Sequence, residues 1–234
     1  MATIVLAHGA WSSAWAWKRV RPLLARSGHE FYAPSYTGLG EREHLATPGN
    51  DLETHIQDVL GVIRAEELED IVLIGHSYGG MVATGVADRA RDVVKTLIYL
   101  DAFVPNDGQA MLDLLPEAQR LRIREGVSAG DGWRVASLPP SLDTSPEDVE
   151  WITRQRRPQS MRCFDQPLQL ARPLDMPRIF IQCRRYAENS PFGPFAERAK
   201  SEAGWQYHAL DTSHSPNVTA PEALVTLLNR IIAS

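Results

Sequence analysis

Gly75-His76-Ser77-Tyr78-Gly79-Gly80 follows a continuously apolar run, Ile71-Val72-Leu73-Ile74, and precedes a helical pattern. A Gly-x-Ser-x-Gly pattern between strand and helix marks a nucleophile elbow, a sharp turn that lifts the serine hydroxyl clear of the backbone. So tight a turn leaves room only for small neighbours, which Gly75 and Gly79 supply. The helix N-terminus beneath it offers backbone N–H groups toward developing negative charge. This suits nucleophilic attack by Ser77 on an acyl carbon. A Gly-rich turn with a merely solvent-exposed serine would not need the strand before and the helix after.

A serine hydroxyl needs a base to take its proton at neutral pH. The chain has 7 histidines. In folds built on this strand–serine–helix turn the base comes last in the chain. His214 stands in Asp211-Thr212-Ser213-His214-Ser215-Pro216, between the last expected strand and the C-terminal helix, and is the candidate. His208 falls within that strand and reads as structural, and His76 as packing behind the serine. The oxyanion of the reaction requires two convergent N–H donors. One is expected from the Tyr78 backbone. The other is expected from the loop His8-Gly9-Ala10-Trp11, from Ala10 first and Trp11 second. The Trp11 and Tyr78 side chains are candidate pocket walls.

These residues must be positioned by an alternation of β-branched runs and helical patterns, which predicts an α/β fold with a mainly parallel sheet covered by helices. About six strands are expected: Thr3–Ala7, Glu30–Pro34, Asp70–Gly75, Thr96–Leu100, Arg178–Cys183 and Gln206–Leu210. Helices are expected over Ala14–Arg26, Leu52–Glu67, Gly80–Arg89, Pro194–Ala203 and Pro221–Ala233. The rhythm breaks at 105–173, rich in proline and without a convincing buried strand. Helical patterns there cover Met111–Glu125 and Pro146–Arg156. The expectation is one structural domain: a core of 1–104 and 174–234, with 105–173 as a helical cap insertion.

Composition narrows the classes further. A length of 234 residues suits one large domain, and a net charge of −5 lacks the basic excess of a nucleic-acid binder. The 2 cysteines, Cys163 and Cys183, cannot form a disulfide framework or a Cys-rich metal site and are expected to be buried thiols. No cofactor or metal is implied. The first residues, Met1-Ala2-Thr3-Ile4, carry no basic n-region, and no apolar stretch is long enough to span a membrane. A cytoplasmic protein without membrane or nucleic-acid partners is the expectation, and a homodimer stays open.

With these motifs in place, the chain resembles the α/β-hydrolases. The closer resemblance is to the branch with plant methyl esterases, hydroxynitrile lyases and bacterial esterases such as pyrethroid hydrolases. Besides the elbow and the His214 segment, the resemblance rests on His8-Gly9-Ala10-Trp11, Ala14-Trp15-Ala16-Trp17, Tyr36-Thr37-Gly38-Leu39-Gly40, Asp101-Ala102-Phe103-Val104-Pro105 and Thr219-Ala220-Pro221-Glu222. It covers the body and is weak across the insertion. The resemblance implies a carboxylate that orients His214. That acid usually follows the next-to-last strand, where Glu188 is the one carboxylate in Arg184–Pro191. Counting back from His214 lands on Tyr186, whereas aligning Pro194-Phe195 lands on Glu188. The other candidate is Asp101, at the end of the strand after the elbow, where haloalkane dehalogenases of this fold can carry their acid. Asp101 and Glu188 both remain open.

The resemblance also tests the rival activity. The lyases carry a threonine beside the oxyanion loop and a lysine after the catalytic histidine. Here those positions hold Gly9 and Ser215. Cleavage of a carboxylic ester through an acyl group on Ser77 is therefore the leading expectation. A hydroxynitrile lyase-like activity and a slow-turnover binding protein are the alternatives. No lone arginine is placed by the sequence to clamp a carboxylate, so a small, neutral, apolar ester is the expected substrate.

Overall fold

The computed structural model describes residues 1–185 and 190–233. From its N-terminus run β1 (Thr3–Ala7), a 3-10 turn at Ala14–Trp17, α1 (Val20–Arg26), β2 (Glu30–Tyr32) and a 3-10 turn at Gly40–Leu45. The sequence pattern predicts one helix from Ala14 to Arg26, but it breaks before Val20. Pro22 explains this: deep inside a continuous helix its ring would meet the carbonyl one turn back, whereas in the first turn of α1 it costs nothing.

Next come α2 (Leu52–Ala65), β3 (Ile71–His76), α3 (Gly79–Arg89) and β4 (Val94–Leu100). Asp51 caps α2 by accepting the Thr54 N–H at 2.9 Å, a contact that stabilises a helix end by about 1 kcal/mol. Leu52, Ile56, Val59, Leu60 and Ile63 then form one buried stripe at helical spacing.

Between β4 and the next sheet strand lie a 3-10 turn at Met111–Leu114, α4 (Glu117–Ala129), β5 (Arg134–Val135), α5 (Pro146–Gln155), β6 (Gln159–Ser160) and α6 (Arg162–Asp165). Pro116 splits the expected Met111–Glu125 helix. Within this mainly helical stretch β5 and β6 add a short antiparallel pair, Val135 opposite Gln159. Two-residue strands are too short to leave a period in the sequence.

The chain closes with β7 (Arg178–Cys183), α7 (Gly193–Ser201), β8 (Trp205–Leu210), α8 (Pro216–Thr219) and α9 (Pro221–Ile232). Six strands form one parallel sheet in the order β2-β1-β3-β4-β7-β8. Alternate residues serve opposite faces. Ile4, Leu6, Val72, Ile74, Ile98 and Leu100 pack toward α1 and α9, with Trp17, Leu24, Leu224 and Leu228. Val5, Leu73, Leu97 and Tyr99 pack toward α2 and α3, with Ile56, Met81 and Val82. Each such aliphatic side chain, fully buried, stabilises the fold by about 1.5–3 kcal/mol. Among the described residues no helix is long and apolar enough to cross a membrane.

Because all strands of the sheet are parallel, their C-terminal ends share one edge. Ser77 follows β3, Asp101 follows β4, the His8–Trp11 loop follows β1 and the His214 segment follows β8. This is the edge where parallel α/β sheets place ligands.

Candidate active site

Ser77 sits in the turn between β3 and α3 with φ 56°, a left-handed conformation that non-glycine residues rarely take. The turn can form only because its glycines admit close neighbours. A Cβ on Gly79 would stand 2.0 Å from the Ala7 carbonyl oxygen, and one on Gly80 would stand 2.0 Å from that of Phe103. Phe103 N–H donates to the Ser77 carbonyl at 3.2 Å, so the chain after β4 braces the turn.

His214 donates from Nδ1 to Asp101 Oδ2 at 2.7 Å. In a neutral imidazole that bond puts the hydrogen on Nδ1 and the lone pair on Nε2, the tautomer able to accept a proton from a hydroxyl. Asp101 is 2% exposed. Its other oxygen accepts the Cys183 N–H at 3.2 Å, and its own N–H donates to Ile181 at 2.8 Å. The structure therefore brings Asp101 and His214 together, while Glu188, the other candidate acid, lies outside the described residues. Phe192 stacks on the His214 ring, centroids 5.0 Å apart at 15°. No spacing in the sequence marks Phe192 for this contact.

His76 is buried and donates from Nε2 to the His214 backbone carbonyl at 2.8 Å. Burial, and then the neighbouring His214, lower its pKa from 6.5 to about 3. It holds the His214 segment as a neutral imidazole. His208 lies half-buried in β8, its Nε2 without a partner among the described residues.

The loop after β1 approaches Ser77 closely: a Cβ on Gly9 would lie 3.3 Å from the Ser77 Cβ. Trp11 has φ 58°, and its backbone N–H donates to Gln159 Oε1 at 2.9 Å. That amide is thus committed. The amides of Ala10 and Tyr78 meet no acceptor among the described residues. Two free N–H groups beside a serine are what an oxyanion requires. The Trp11 indole donates to the Val135 carbonyl at 3.0 Å and packs on Phe164. The Tyr78 ring turns into the body, fully buried, its hydroxyl bonded to His55 Nδ1 at 3.0 Å. Only its backbone is offered to the site.

Behind the loop, buried rings fix its base. His8 stacks on Tyr36 at 3.7 Å, donates from Nδ1 to Gly9 and accepts the Tyr36 N–H. Cys163 lies against His55, and burial pushes its thiol up to about 12. Cys183 is likewise free and buried. Among the described residues no group of three or more His, Cys, Asp or Glu side chains could hold a metal ion.

Comparison with known proteins shows the family. The sequence model described as the alpha/beta hydrolase family matches residues 4–227. A carbendazim hydrolyzing esterase of Nocardioides sp. (strain SG-4G) is 39% identical, the match covering 97% of this chain and 98% of that protein. An extracellular alpha/beta-hydrolase from a Paenibacillus species superposes with a TM-score of 0.85 at 22% identity, covering 98% of each chain. A pyrethroid hydrolase from Sphingobium faniae JZ-2 superposes at 0.77 with 23% identity, covering 100% of this chain and 98% of that one. At these identities the two structures speak for the fold.

Proposed function

The chain belongs to the alpha/beta hydrolase family, and from that premise we propose that it is a serine hydrolase of carboxylic esters. Ser77 is the nucleophile, His214 the general base, Asp101 the acid that orients it, and the amides of Ala10 and Tyr78 the oxyanion hole. The observation that carries this reading is the 2.7 Å bond from His214 Nδ1 to Asp101, which leaves Nε2 as the acceptor on the ring.

The steps follow from these roles. Ser77 Oγ attacks the ester carbon while His214 Nε2 takes its proton. The carbonyl oxygen becomes an oxyanion against the two amides. Collapse expels the alcohol, which receives the proton from His214, and leaves an acyl group on Ser77. Water, deprotonated by the same Nε2, then attacks that acyl group; the acyl–Oγ bond breaks, Ser77 Oγ takes the proton back from His214, and the acid leaves.

Gly9 argues against cyanohydrin cleavage. A side chain there would lie against Ser77 and His76, yet glycine brings no hydroxyl to that place, and Ser215 brings no ammonium. A p-nitrophenyl ester series, with carbendazim as an added substrate, tests the proposal. Turnover by the wild type that vanishes in Ser77→Ala is expected. Ligand binding without turnover in both proteins would favour a binding protein, and cyanide release from mandelonitrile above background would favour a lyase.

A further inference from the structure

The bond to Asp101 holds one edge of the His214 imidazole, yet the side chain is 37% exposed. A ring held at one atom can swing about it, and a swing changes where Nε2 points. Two other rings meet this one. His76 lies 4.9 Å from its centroid at 33°, and Phe192 lies 5.0 Å away at 15°, close to parallel. Phe192 is 5% exposed, so its ring serves this contact and is closed to solvent.

Phe192 is itself closely held. Its N–H donates to Ser190 Oγ at 3.2 Å, and its carbonyl accepts the Ala196 N–H at 3.1 Å as α7 begins. The Phe103 ring meets it in a T, centroids 4.9 Å apart at 70°, and Phe195 meets Phe103 at 6.1 Å and 73°. Aromatic pairs of this geometry stabilise beyond the area they bury. Phe103 is also the residue whose N–H donates to the Ser77 carbonyl and whose own carbonyl lies against Gly80. One aromatic chain, Phe103 to Phe192 to His214, thus connects the brace of the serine turn with the base.

The face of a phenyl ring is electron-rich and attracts a cation more than a neutral partner. In each half of the proposed reaction His214 passes between these two forms. His76 adds no opposing charge, because burial lowers its pKa to about 3 and keeps it neutral. Asp101 and His76 are the titratable side chains that bond to or stack on the His214 ring among the described residues. Of the charges further out, Arg185 bonds the Asp211 carbonyl and pairs with Asp143, while Arg156 acts on His76. We propose that Phe192 is a positioning residue for the base: its ring fixes the tilt of the His214 imidazole and favours the imidazolium that forms as Ser77 loses its proton. The inference rests on the ester-hydrolase reading and deepens it.

The test follows kcat, KM and the pH profile on p-nitrophenyl acetate in wild type, Phe192→Leu and Phe192→Tyr. Active sites are counted by labelling Ser77 to completion with a fluorophosphonate, so that misfolded protein does not enter the rates. Leucine keeps the apolar bulk but has no ring face. In Phe192→Leu kcat falls by about threefold to thirtyfold with KM nearly constant, the effect of a cation over an aromatic face. The acid limb of kcat/KM moves to lower pH by about half to one and a half pH units, which packing alone does not produce. Phe192→Tyr, which keeps the face, retains both the rate and the limb. Di- and trifluorophenylalanine incorporated at position 192 withdraw electrons from the face with little change of shape, and lower the rate and the limb stepwise. They carry the test should Phe192→Leu fail to fold. An unmoved limb or an unchanged kcat in the leucine variant, or in the fluorinated series, overturns the inference and leaves ester hydrolysis standing. If the wild type cleaves no ester of any kind, the ester-hydrolase reading fails and the inference with it.

Discussion

Asp101 adopts φ 42° at the end of β4, and this unusual backbone turns its carboxylate back between Cys183 and His214. Of five non-glycine residues with positive φ among those described, Trp11, Ser77 and Asp101 all stand at the candidate site. Each such conformation costs about 1–3 kcal/mol and survives only where its surroundings impose it. Asp101→Asn tests the proposed acid. An amide facing Nδ1 no longer selects the tautomer with a free Nε2, so kcat should fall by about ten-thousandfold. The same assay on Glu188→Gln separates the two candidate acids. A loss of that size there, with activity retained in Asp101→Asn, would overturn the assignment.

The β5–β6 ribbon and the turn before β6 impose the conformation of Trp11. All three of the tryptophan's polar groups bond to this one region: its N–H to Gln159, its carbonyl to Arg157 and its indole to Val135. The stretch between β4 and β7 is fastened elsewhere too, since Arg19 pairs with Asp148 of α5 through both guanidinium nitrogens at 2.9 and 2.6 Å. Gln159→Met should therefore act at a distance from the serine. It leaves the half-buried Trp11 amide without an acceptor, a loss of roughly 1–3 kcal/mol, and relaxes the loop that carries the Ala10 amide. We expect kcat to drop by about tenfold with KM nearly constant, because the oxyanion forms only after binding. An unchanged kcat would show that the ribbon has no hold on the proposed oxyanion hole.

At the scale of the whole molecule, three buried imidazoles set the acid limit of stability. Burial lowers His8 from 6.5 to about 4, and His55 and His76 to about 3. Protonating His8 would set a new N–H against the Tyr36 amide that now donates to it. The unfolded chain binds these protons near pH 6.5, whereas the folded chain refuses them until pH 3–4. Their stabilisation is thus complete above pH 6.5 and is lost as the pH falls through that window. Near pH 5 the three together impose a slope of about 4 kcal/mol per pH unit. Against a total stability of about 5–15 kcal/mol, the urea midpoint should fall steeply between about pH 7 and pH 5. A flat midpoint across that range would mean that the rings are accessible to protons in the native state.

Local signals account for what the sequence determined alone. The elbow at Ser77, the alternation that gives six parallel strands, and the place of His214 after β8 all rest on neighbours or on period. Strand ends moved by a residue or two, and two helices broke at Pro22 and Pro116, where ring sterics overrode the pattern. The contacts that complete the site are long-range: His214 meets Asp101 across 113 residues and Trp11 meets Gln159 across 148. No spacing encodes such meetings, because they depend on which strands become neighbours and where an insertion folds back. Tertiary structure alone joined Asp101 to His214, and committed the Trp11 amide and so left Ala10 free. A side chain's partner is fixed by the packing of elements that the chain itself keeps far apart.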